Sequence, residues 1–312
     1  MAEVITYVDP DAVGGGTGLD WTNAYTSLSA MEAAEQDDFD TANNWLHCYC
    51  RSSSGTDDTT PVVINGSVTS ATDYIKIEAT SGHRAKKTGL DDSIYHLNVT
   101  GYGFQIWDDH VWTDGLQITS SNVGFEVSNV AAGSWCRISN CRQFGAGYLC
   151  YLTDADGNVQ MWNSICDGGN RLYRQSGGNA DIENCIAYGS AGNGIDIDGG
   201  TVTITNCCAF NNGATDIDGG TIDYCASDDG GGTNEVAESG GGAAWPNDFT
   251  DAANGDFTLK GTSNLVGAGV ADGLGGLYTT DIEGDTYASP PSLGVDEIAA
   301  SGAVWIPRVI MF

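Results

Sequence analysis

The sequence predicts an all-β protein, a parallel β-helix with about 22 residues in each coil. Short runs that alternate apolar and polar residues, such as residues 202–205, are separated by Gly, Asn, Asp and Ser, which is typical of strands joined by tight turns. An apolar residue followed two positions later by asparagine recurs at steps of 23, 21 and 22 residues. Because no helix interrupts the repeat, this period fits one coil of a β-helix, whose coils stack about 4.8 Å apart.

Two columns of small polar residues accompany this repeat. The asparagines occupy a turn in each coil, where each is expected to hydrogen-bond to the asparagine of the next coil and so satisfy backbone groups at the bend. The cysteines beside them are expected to form a buried stack of reduced thiols, because parallel Cβ vectors make a disulfide dihedral awkward. The predicted columns are Asn140, Asn163, Asn184 and Asn206, and Cys141, Cys185, Cys207 and Cys225.

The charge of the chain excludes several classes of partner. Its 312 residues include 11 Lys and Arg against 42 Asp and Glu, which gives a net charge of −31. Because affinity for phosphate groups depends on clustered basic residues, we expect no nucleic-acid partner. No apolar run reaches the roughly 18 to 20 residues needed to span a bilayer, so we expect no membrane insertion. With 41% hydrophobic residues, the chain can still bury a core.

The sequence pattern changes along the chain and divides it into regions. One early stretch, residues 26–36, is predicted to be a short helix, because a hydroxyl residue precedes apolar positions at helical spacing, among them Leu28 and Met31. The predicted regions are an N-terminal cap with this helix at 1–60, the β-helix coils at 61–245, a closing region at 246–298 and an apolar tail at 299–312.

Motifs near both ends of the chain are similar to those of a known superfamily. The chain opens with Thr-Tyr-Val-Asp at 6–9 and Trp-Thr-Asn-Ala at 21–24, and closes with Gly-Asp-Phe-Thr-Leu at 255–259 and Ser-Leu-Gly-Val-Asp-Glu at 292–297. With the central repeats, these motifs resemble right-handed parallel β-helix proteins of the pectate-lyase-like superfamily over nearly the whole chain. The resemblance implies a right-handed coil, with the N-terminal helix over the first coil and residues 257–270 closing the other end.

The resemblance leaves the activity open, because the superfamily includes lyases, hydrolases, esterases, phage tailspikes and inert scaffolds. Ile-Trp-Asp-Asp-His at 106–110 is similar to a Trp-Ile-Asp-His segment of pectate lyases, so the candidate catalytic residues are Asp108, Asp109 and His110. No matching arginine motif follows, and a solvated turn is the alternative. A strip of exposed tryptophans for stacking sugars, with packing as its alternative, is predicted at Trp107, Trp112, Trp135 and Trp162.

Two copies of Asp-Ile-Asp-Gly-Gly, at 196–200 and 216–220, suggest an acidic patch on adjacent coils. An earlier Asp-Ala-Asp-Gly lies at 154–157. Grouped carboxylates repel one another unless they are hydrated, screened or bridged by a hard cation such as Ca²⁺. Calcium is therefore the one cofactor that the sequence suggests, with a solvated acidic face as the alternative. The candidate ligands are Asp196 and Asp198, with Asp216 and Asp218 expected almost directly above them.

The last residues form an apolar segment after a polar surface. Such ends usually dock, either on their own domain or on another subunit, and both readings stay open here. The predicted docking residues are Val304, Trp305, Ile306, Val309, Ile310, Met311 and Phe312.

A rigid acidic rod without a complete catalytic motif predicts a structural virion protein of a bacteriophage, such as a capsid decoration protein, head fibre, tail fibre or tailspike. The start of the chain has no basic or apolar signal region, so we expect synthesis in the host cytoplasm and a place in the virion. Expected partners are other capsid or tail proteins, further copies of the chain as in a homotrimer, and a host-surface glycan. The alternative is a glycan-active enzyme of the same fold, a polysaccharide lyase or glycoside hydrolase.

Overall fold

The computed structural model describes residues 2–153, 156–175, 177–230, 232–239, 245–271 and 276–298. Their strands form three parallel sheets that run along a right-handed β-helix, so the predicted fold class is confirmed. Each central coil contributes one strand to each sheet, whereas within the described residues the first two coils and the last coil contribute strands to only one or two of them. The inward side chains of all three sheets meet in one apolar core.

The strands of the three sheets follow one another in chain order. Sheet 1 contains β1 Ala2–Val8, β2 Asn44–Cys50, β4 Ile75–Ala79, β7 Val111–Asp114, β10 Trp135–Ser139, β13 Asn158–Trp162, β16 Asn179–Glu183, β19 Thr201–Thr205 and β22 Thr221–Asp223. Sheet 2 contains β5 His96–Val99, β8 Gln117–Ser120, β11 Arg142–Phe144, β14 Ile165–Asp167, β17 Ile186–Tyr188, β20 Cys208–Phe210 and β23 Ala226–Ser227. Sheet 3 contains β3 Val62–Ile64, β6 Tyr102–Ile106, β9 Val123–Ser128, β12 Tyr148–Thr153, β15 Arg171–Gln175, β18 Ile195–Ile197 and β21 Ile217–Asp218.

The apolar column of the repeat sets the register of sheet 1. Ile138 pairs with Met161, and the column continues through Ile182 to Ile204, as the repeat predicts. The last pair joins Ile204 to Ile222, a step of only 18 residues. The chain shortens between β21 and β22, where Asp218 and Thr221 are separated by two glycines. The final coil is therefore smaller than the ones before it.

The predicted N-terminal helix is present as α1, Leu28–Glu35, and Ser27 caps it by accepting a hydrogen bond from the Ala30 amide. Leu28 and Met31 are buried against the first coils. A second short helix, α2 Phe39–Ala42, follows. Strand β1 of sheet 1 begins at Ala2, so the region predicted as a cap also supplies strands of the β-helix.

The asparagine column adopts the left-handed backbone conformation that asparagine tolerates better than most residues, with φ between 49° and 55°. Only part of the predicted ladder is present, because Asn163 Nδ2 donates to Asn140 Oδ1 at 3.1 Å. Asn184 Nδ2 donates instead to the Tyr278 hydroxyl at 2.9 Å. Asn206 exchanges two 2.9 Å hydrogen bonds with the backbone of Val270. The column therefore anchors the C-terminal segment along the β-helix.

Two substitutions of Asn206 distinguish how much its backbone conformation and its side-chain hydrogen bonds each contribute to stability. Asn206→Ala is expected to lower the free energy of unfolding by about 2 to 3 kcal/mol, because it removes both bonds to Val270 and puts at φ 55° a residue that tolerates the left-handed conformation less well than asparagine. Asn206→Gly loses the same bonds without the strain, so it should be about 1 kcal/mol more stable than the alanine variant. Urea unfolding measures both values. Equal stability of the two variants would contradict this account.

The cysteine column lies inside the core. Cys141, Cys185, Cys207 and Cys225 are buried, and each thiol approaches backbone carbonyl oxygens of its own coil. Burial raises the pKa of Cys141 to about 12. A thiol with such a pKa stays protonated at neutral pH and reacts slowly.

The C-terminal segment packs mainly along the side of the β-helix rather than over its end. Sheet 2 presents apolar side chains outward as well as inward, and all three residues of β20 are buried. The antiparallel pair β24 Phe249–Asp251 and β25 Asp256–Leu259 lies in this second core. The 3-10 turn Trp245–Asn247 precedes the pair, and the 3-10 turn Ala252–Asn254 joins its two strands. The last coil is instead continued by Thr233 and Val236, which bond to Tyr224 and Cys225. No helix within the described ranges is long and apolar enough to cross a membrane.

Candidate functional site

Aromatic and basic side chains lie on the outward face of sheet 1, opposite the face that packs in the core. Alternation along β10 turns Cys136 and Ile138 into the core and Trp135 and Arg137 outward. Strand pairing places Trp112 of β7 beside Arg137. We call the outward side chains of Trp45, Tyr74, Lys76, Trp112, Trp135 and Arg137 the aromatic face.

The rings of the aromatic face contact one another along several coils. The rings of Trp45 and Tyr74 lie 5.1 Å apart, and those of Tyr74 and Trp135 lie 5.6 Å apart. The Arg137 guanidinium lies 3.9 Å from the ring centre of Trp135 and 5.7 Å from that of Trp112. Because a cation over an indole ring is attracted to its π-electrons, these contacts hold Arg137 and both indoles in place.

A groove of about 470 Å³ begins at Trp135 and Arg137 and continues over the next three coils. Its lining beyond these two residues is polar, with amide and carboxylate groups at the same register positions in successive strands. Arg137 Nε donates to Gln160 Oε1 at 2.9 Å, and Asn158 Nδ2 donates to Asp181 Oδ2 at 2.9 Å. The groove therefore combines an aromatic end with a ladder of hydrogen-bonding groups.

A second groove of about 450 Å³ lies on the other side of Trp112, between sheet 1 and residues 277–284. Arg84 spans its floor and donates two hydrogen bonds to Asp114, at 2.9 and 2.7 Å. The same carboxylate accepts hydrogen bonds from Ser139 and Asn140, so its oxygen atoms are fully engaged. This pairing makes Asp114 a structural anion of the groove floor.

The structure separates the four tryptophans predicted as a strip. Trp112 and Trp135 lie on the aromatic face, whereas Trp162 is only 2% exposed and stacks under Tyr278 at 5.7 Å. Trp107 is 38% exposed and follows β6 of sheet 3, away from the face. Arg137 was not among the predicted site residues, although the alternation of Trp135 and Arg137 about Cys136 placed both on the outside of one strand.

The candidate catalytic residues lie in the turn between β6 and β7. Asp108 accepts the backbone amides of Gly66 and Ser67 at 2.9 and 3.0 Å, while burial raises its pKa. Asp109 accepts the amide of Ala131 at 2.8 Å. These bonds give both carboxylates a role in joining loops of neighbouring coils.

His110 completes this turn with a left-handed backbone, at φ 52°. Its ring packs edge-on against Trp135 with centroids 5.2 Å apart, and burial lowers its pKa. His110 therefore supports the aromatic face from the edge, and a catalytic role for the three residues stays a prediction.

The predicted acidic patch has a different register from the one expected. Asp196 pairs with Asp218 and not with Asp216, because Ile195 pairs with Ile217 and the coil therefore spans 22 residues instead of the 20 between the matching motifs. Asp196 also lies 2.8 Å from Arg171 Nε.

The distribution of the acidic side chains bears on the calcium prediction. Asp198 lies 3.6 Å from Arg174, so guanidinium groups supply positive charge on the Asp196 side of the patch. Among the described residues, no three acidic, histidine or cysteine side chains are grouped to hold a metal ion. Of the earlier Asp-Ala-Asp-Gly motif, residues 154 and 155 lie outside the described ranges. The calcium site stays a prediction from sequence.

The carboxyl group of Asp216 is expected to make the free energy of unfolding depend on pH. Burial raises its pKa from 3.8 to about 6, against the hydrogen bonds from Asn212 and the Asp228 amide. Between these pH values the folded state keeps a proton that the unfolded chain releases, so the free energy of unfolding falls as pH rises from about 4 to above 6. Relative to Asp216→Asn, the wild type should lose on the order of 2 kcal/mol over this range. A pH-independent difference in urea unfolding would contradict the prediction.

The apolar tail predicted as a docking segment, with Val304, Trp305, Ile306, Val309, Ile310, Met311 and Phe312, lies outside the described residues.

The protein is a right-handed parallel β-helix, and one of its sheets carries a groove with an aromatic end. No protein-family model matches the chain, and no curated protein matches it in sequence. The solved structures that the chain resembles include a pectate lyase and a rhamnogalacturonan lyase. Pectate lyase Pel9A is 18% identical with a TM-score of 0.47, over 95% of this chain and 97% of its own. A rhamnogalacturonan lyase is 12% identical with a TM-score of 0.48, over 75% of this chain and 68% of its own.

Proposed function

We propose that this protein is a structural component of a bacteriophage virion that binds a host-surface glycan on its aromatic face without cleaving it. The observation that carries the glycan part is the stack of Trp112, Arg137 and Trp135 at the head of a polar groove of about 470 Å³. This combination suits sugars, which present apolar C–H faces and hydroxyl edges.

The two parts of the groove match the two sides of a sugar ring. The half-buried indoles of Trp112 and Trp135 offer large, rigid apolar contact, and burial of their remaining surface on binding is favourable. Beyond Trp135, the amides of Asn158 and Gln160 can donate to and accept from hydroxyl groups, and the Asp181 carboxylate can accept from them. Because these groups repeat at the spacing of the coils, the surface suits a polymer with a repeating unit.

A binding role is favoured over cleavage by the state of the carboxylates near the face. Burial raises the pKa of Glu78, but hydrogen bonds from His47 and Lys76 lower it to about 2. A carboxyl group with this pKa stays ionised and does not serve as a general acid near neutral pH. Asp114 is held by Arg84, as described above. Both carboxylates are therefore engaged in contacts that hold neighbouring side chains in place.

The glycan-binding part is tested by substitution on the aromatic face. We expect Trp112→Ala and Trp135→Ala each to weaken binding to purified bacterial envelope polysaccharide by about tenfold, because each removes an indole from the stacking surface. Trp107→Ala is the matched control, since that tryptophan is exposed on another part of the rod. Interferometry with the immobilised polysaccharide measures the affinities. Equal losses in all three variants, or no binding by the wild type, would sink this part of the proposal.

The virion part rests on the rigid acidic rod and the apolar sequence at 299–312. Mass spectrometry of purified phage particles is expected to find the chain at a fixed copy number, and its absence there would contradict the assignment.

Removal of residues 304–312 is expected to prevent incorporation without unfolding the rod. Unfolding of the truncated chain would favour docking of the tail on its own domain instead.

The second candidate function is a glycan-active enzyme, favoured by the presence of Asp181 in the groove. Incubation of the same polysaccharide with the protein distinguishes the two. Release of oligosaccharides, lost on Asp181→Asn, would replace the binding proposal with the enzymatic one, and an unchanged polymer length would support binding alone.

A further inference from the structure

We propose that the bound glycan carries an isolated anionic substituent, a carboxylate or a phosphate ester, and that Arg137 binds it. The inference rests on the proposed glycan-binding function and names the chemical class of its ligand. It starts from the one arginine of the described chain whose charge the protein leaves without a counterion.

The arginines differ in their ionic partners. Arg137 has no carboxylate oxygen within 4.0 Å among the described residues, and its Nε hydrogen bond goes to the neutral amide of Gln160. Burial also lowers its pKa. The arginines with a carboxylate partner are Arg51 with Asp9, Arg84 with Asp114, Arg142 with Asp167, and Arg171 and Arg174 with Asp196.

The position of Arg137 directs its free donors to the groove. The Trp135 ring lies 3.9 Å from the guanidinium carbon, so an approaching ligand reaches the edge of the guanidinium more easily than the face that packs on this indole. The Gln160 bond uses Nε and leaves both terminal amino groups without a hydrogen-bond partner among the described residues. A guanidinium edge matches the paired oxygens of a carboxylate or phosphate, and ionised acceptors form the stronger bonds.

The surrounding charges limit how many anions the groove accepts. Asp156 and Asp181 lie along the same groove, and Lys76 is neutralised by Glu78. A ligand with an anion on every sugar would place like charges beside these carboxylates, in a chain whose net charge is −31. The groove therefore fits a mostly neutral polymer with widely spaced anionic groups.

The test uses the full chain and four immobilised oligosaccharides of equal length. They are a neutral hexose oligomer and otherwise identical oligomers with one uronate carboxylate, with one phosphate ester, and with a carboxylate on every sugar. The wild type is expected to bind a singly charged probe about 10- to 100-fold more tightly than the neutral and fully charged probes. The preferred singly charged probe identifies carboxylate or phosphate as the source of the anion.

Three variants make the result specific. Arg137→Gln should bind neutral and singly charged probes equally, whereas Arg137→Lys should keep part of the preference because it keeps the charge without the bidentate edge. Arg174→Gln removes one positive charge on sheet 3 and should behave as the wild type. Circular dichroism and melting temperature show whether each variant is folded.

The failures of the two proposals differ. If the wild type binds neutral and singly charged probes equally and Trp135→Ala weakens both, the anionic substituent is wrong and glycan binding stands. If Arg137→Gln keeps the full preference for the singly charged probes, the role of Arg137 is likewise wrong and glycan binding stands. If no probe binds, or if Trp135→Ala changes nothing, both the inference and the proposed binding function are overturned.

Discussion

Replacing Arg142 with methionine is expected to lower the free energy of unfolding by about 3 to 5 kcal/mol. The side chain is fully buried between sheet 2 and the C-terminal segment. Its guanidinium bonds to the carbonyl oxygens of Lys86 and Gly255 at 2.8 Å and to Asp167 at 2.6 Å. Methionine fills much of the same volume but leaves the carboxylate and both carbonyl groups without their donor.

The matched control for this experiment is Arg174→Met, which removes a partly exposed arginine near Asp196. Its effect should stay within about 1 kcal/mol, because exposed ion pairs contribute little. Urea unfolding followed by tryptophan fluorescence measures both variants. Equal shifts for the two would mean that Arg142 does not hold the C-terminal segment against the β-helix.

Phe210→Ala is expected to cost about 3 to 5 kcal/mol and to detach the C-terminal segment from sheet 2. The ring of Phe210 stacks on Trp245 at 4.0 Å and on Phe249 at 5.3 Å, and also touches Tyr188 and Phe257. Removing it opens a cavity at the centre of this second core. Limited proteolysis should then cut within residues 245–298 while the coils remain protected.

Tyr102→Ala is the control, because it shortens an aromatic side chain that is 37% exposed on sheet 3. This variant should keep the wild-type digestion pattern and a stability within about 0.5 kcal/mol of the wild type. Protection of residues 245–298 in the Phe210 variant would show that other contacts hold the segment in place.

The inward column of the coils could be predicted because it depends on local alternation. Ile138, Met161, Ile182 and Ile204 recur at nearly constant steps, and burying the column requires the pairing that the structure has. The same rule explains the wrong register at Asp196. Matching sequence letters aligned it with Asp216, whereas strand pairing follows the buried isoleucines.

The packing of the C-terminal segment could not be predicted from periodicity. Val270 and Tyr278 belong to irregular chain, and nothing in their own sequence indicates that they bond to Asn206 and Asn184. Strand β20 does carry a signal, because three consecutive buried residues require cover on both faces.

The candidate site was predictable only in part. Trp112 and Trp135 were predicted as exposed on a strip, but the burial of Trp162 depends on Tyr278, more than a hundred residues away in sequence. The significance of Arg137 depends on which arginines find a carboxylate, and that is decided by contacts between coils. Asp108 likewise matched a four-residue motif, while its bonds to Gly66 and Ser67 depend on another coil.

The asparagine column also limits how the protein can evolve in length. Val270, Tyr278 and Thr280 bond in chain order to Asn206, Asn184 and Asn163, so the C-terminal segment follows the coils one by one toward the N-terminus. Duplication or loss of a single coil in this stretch would shift every later partner by one position. Solenoids commonly change size by whole repeats, but here such a change would require a matching insertion or deletion in an unrelated part of the gene.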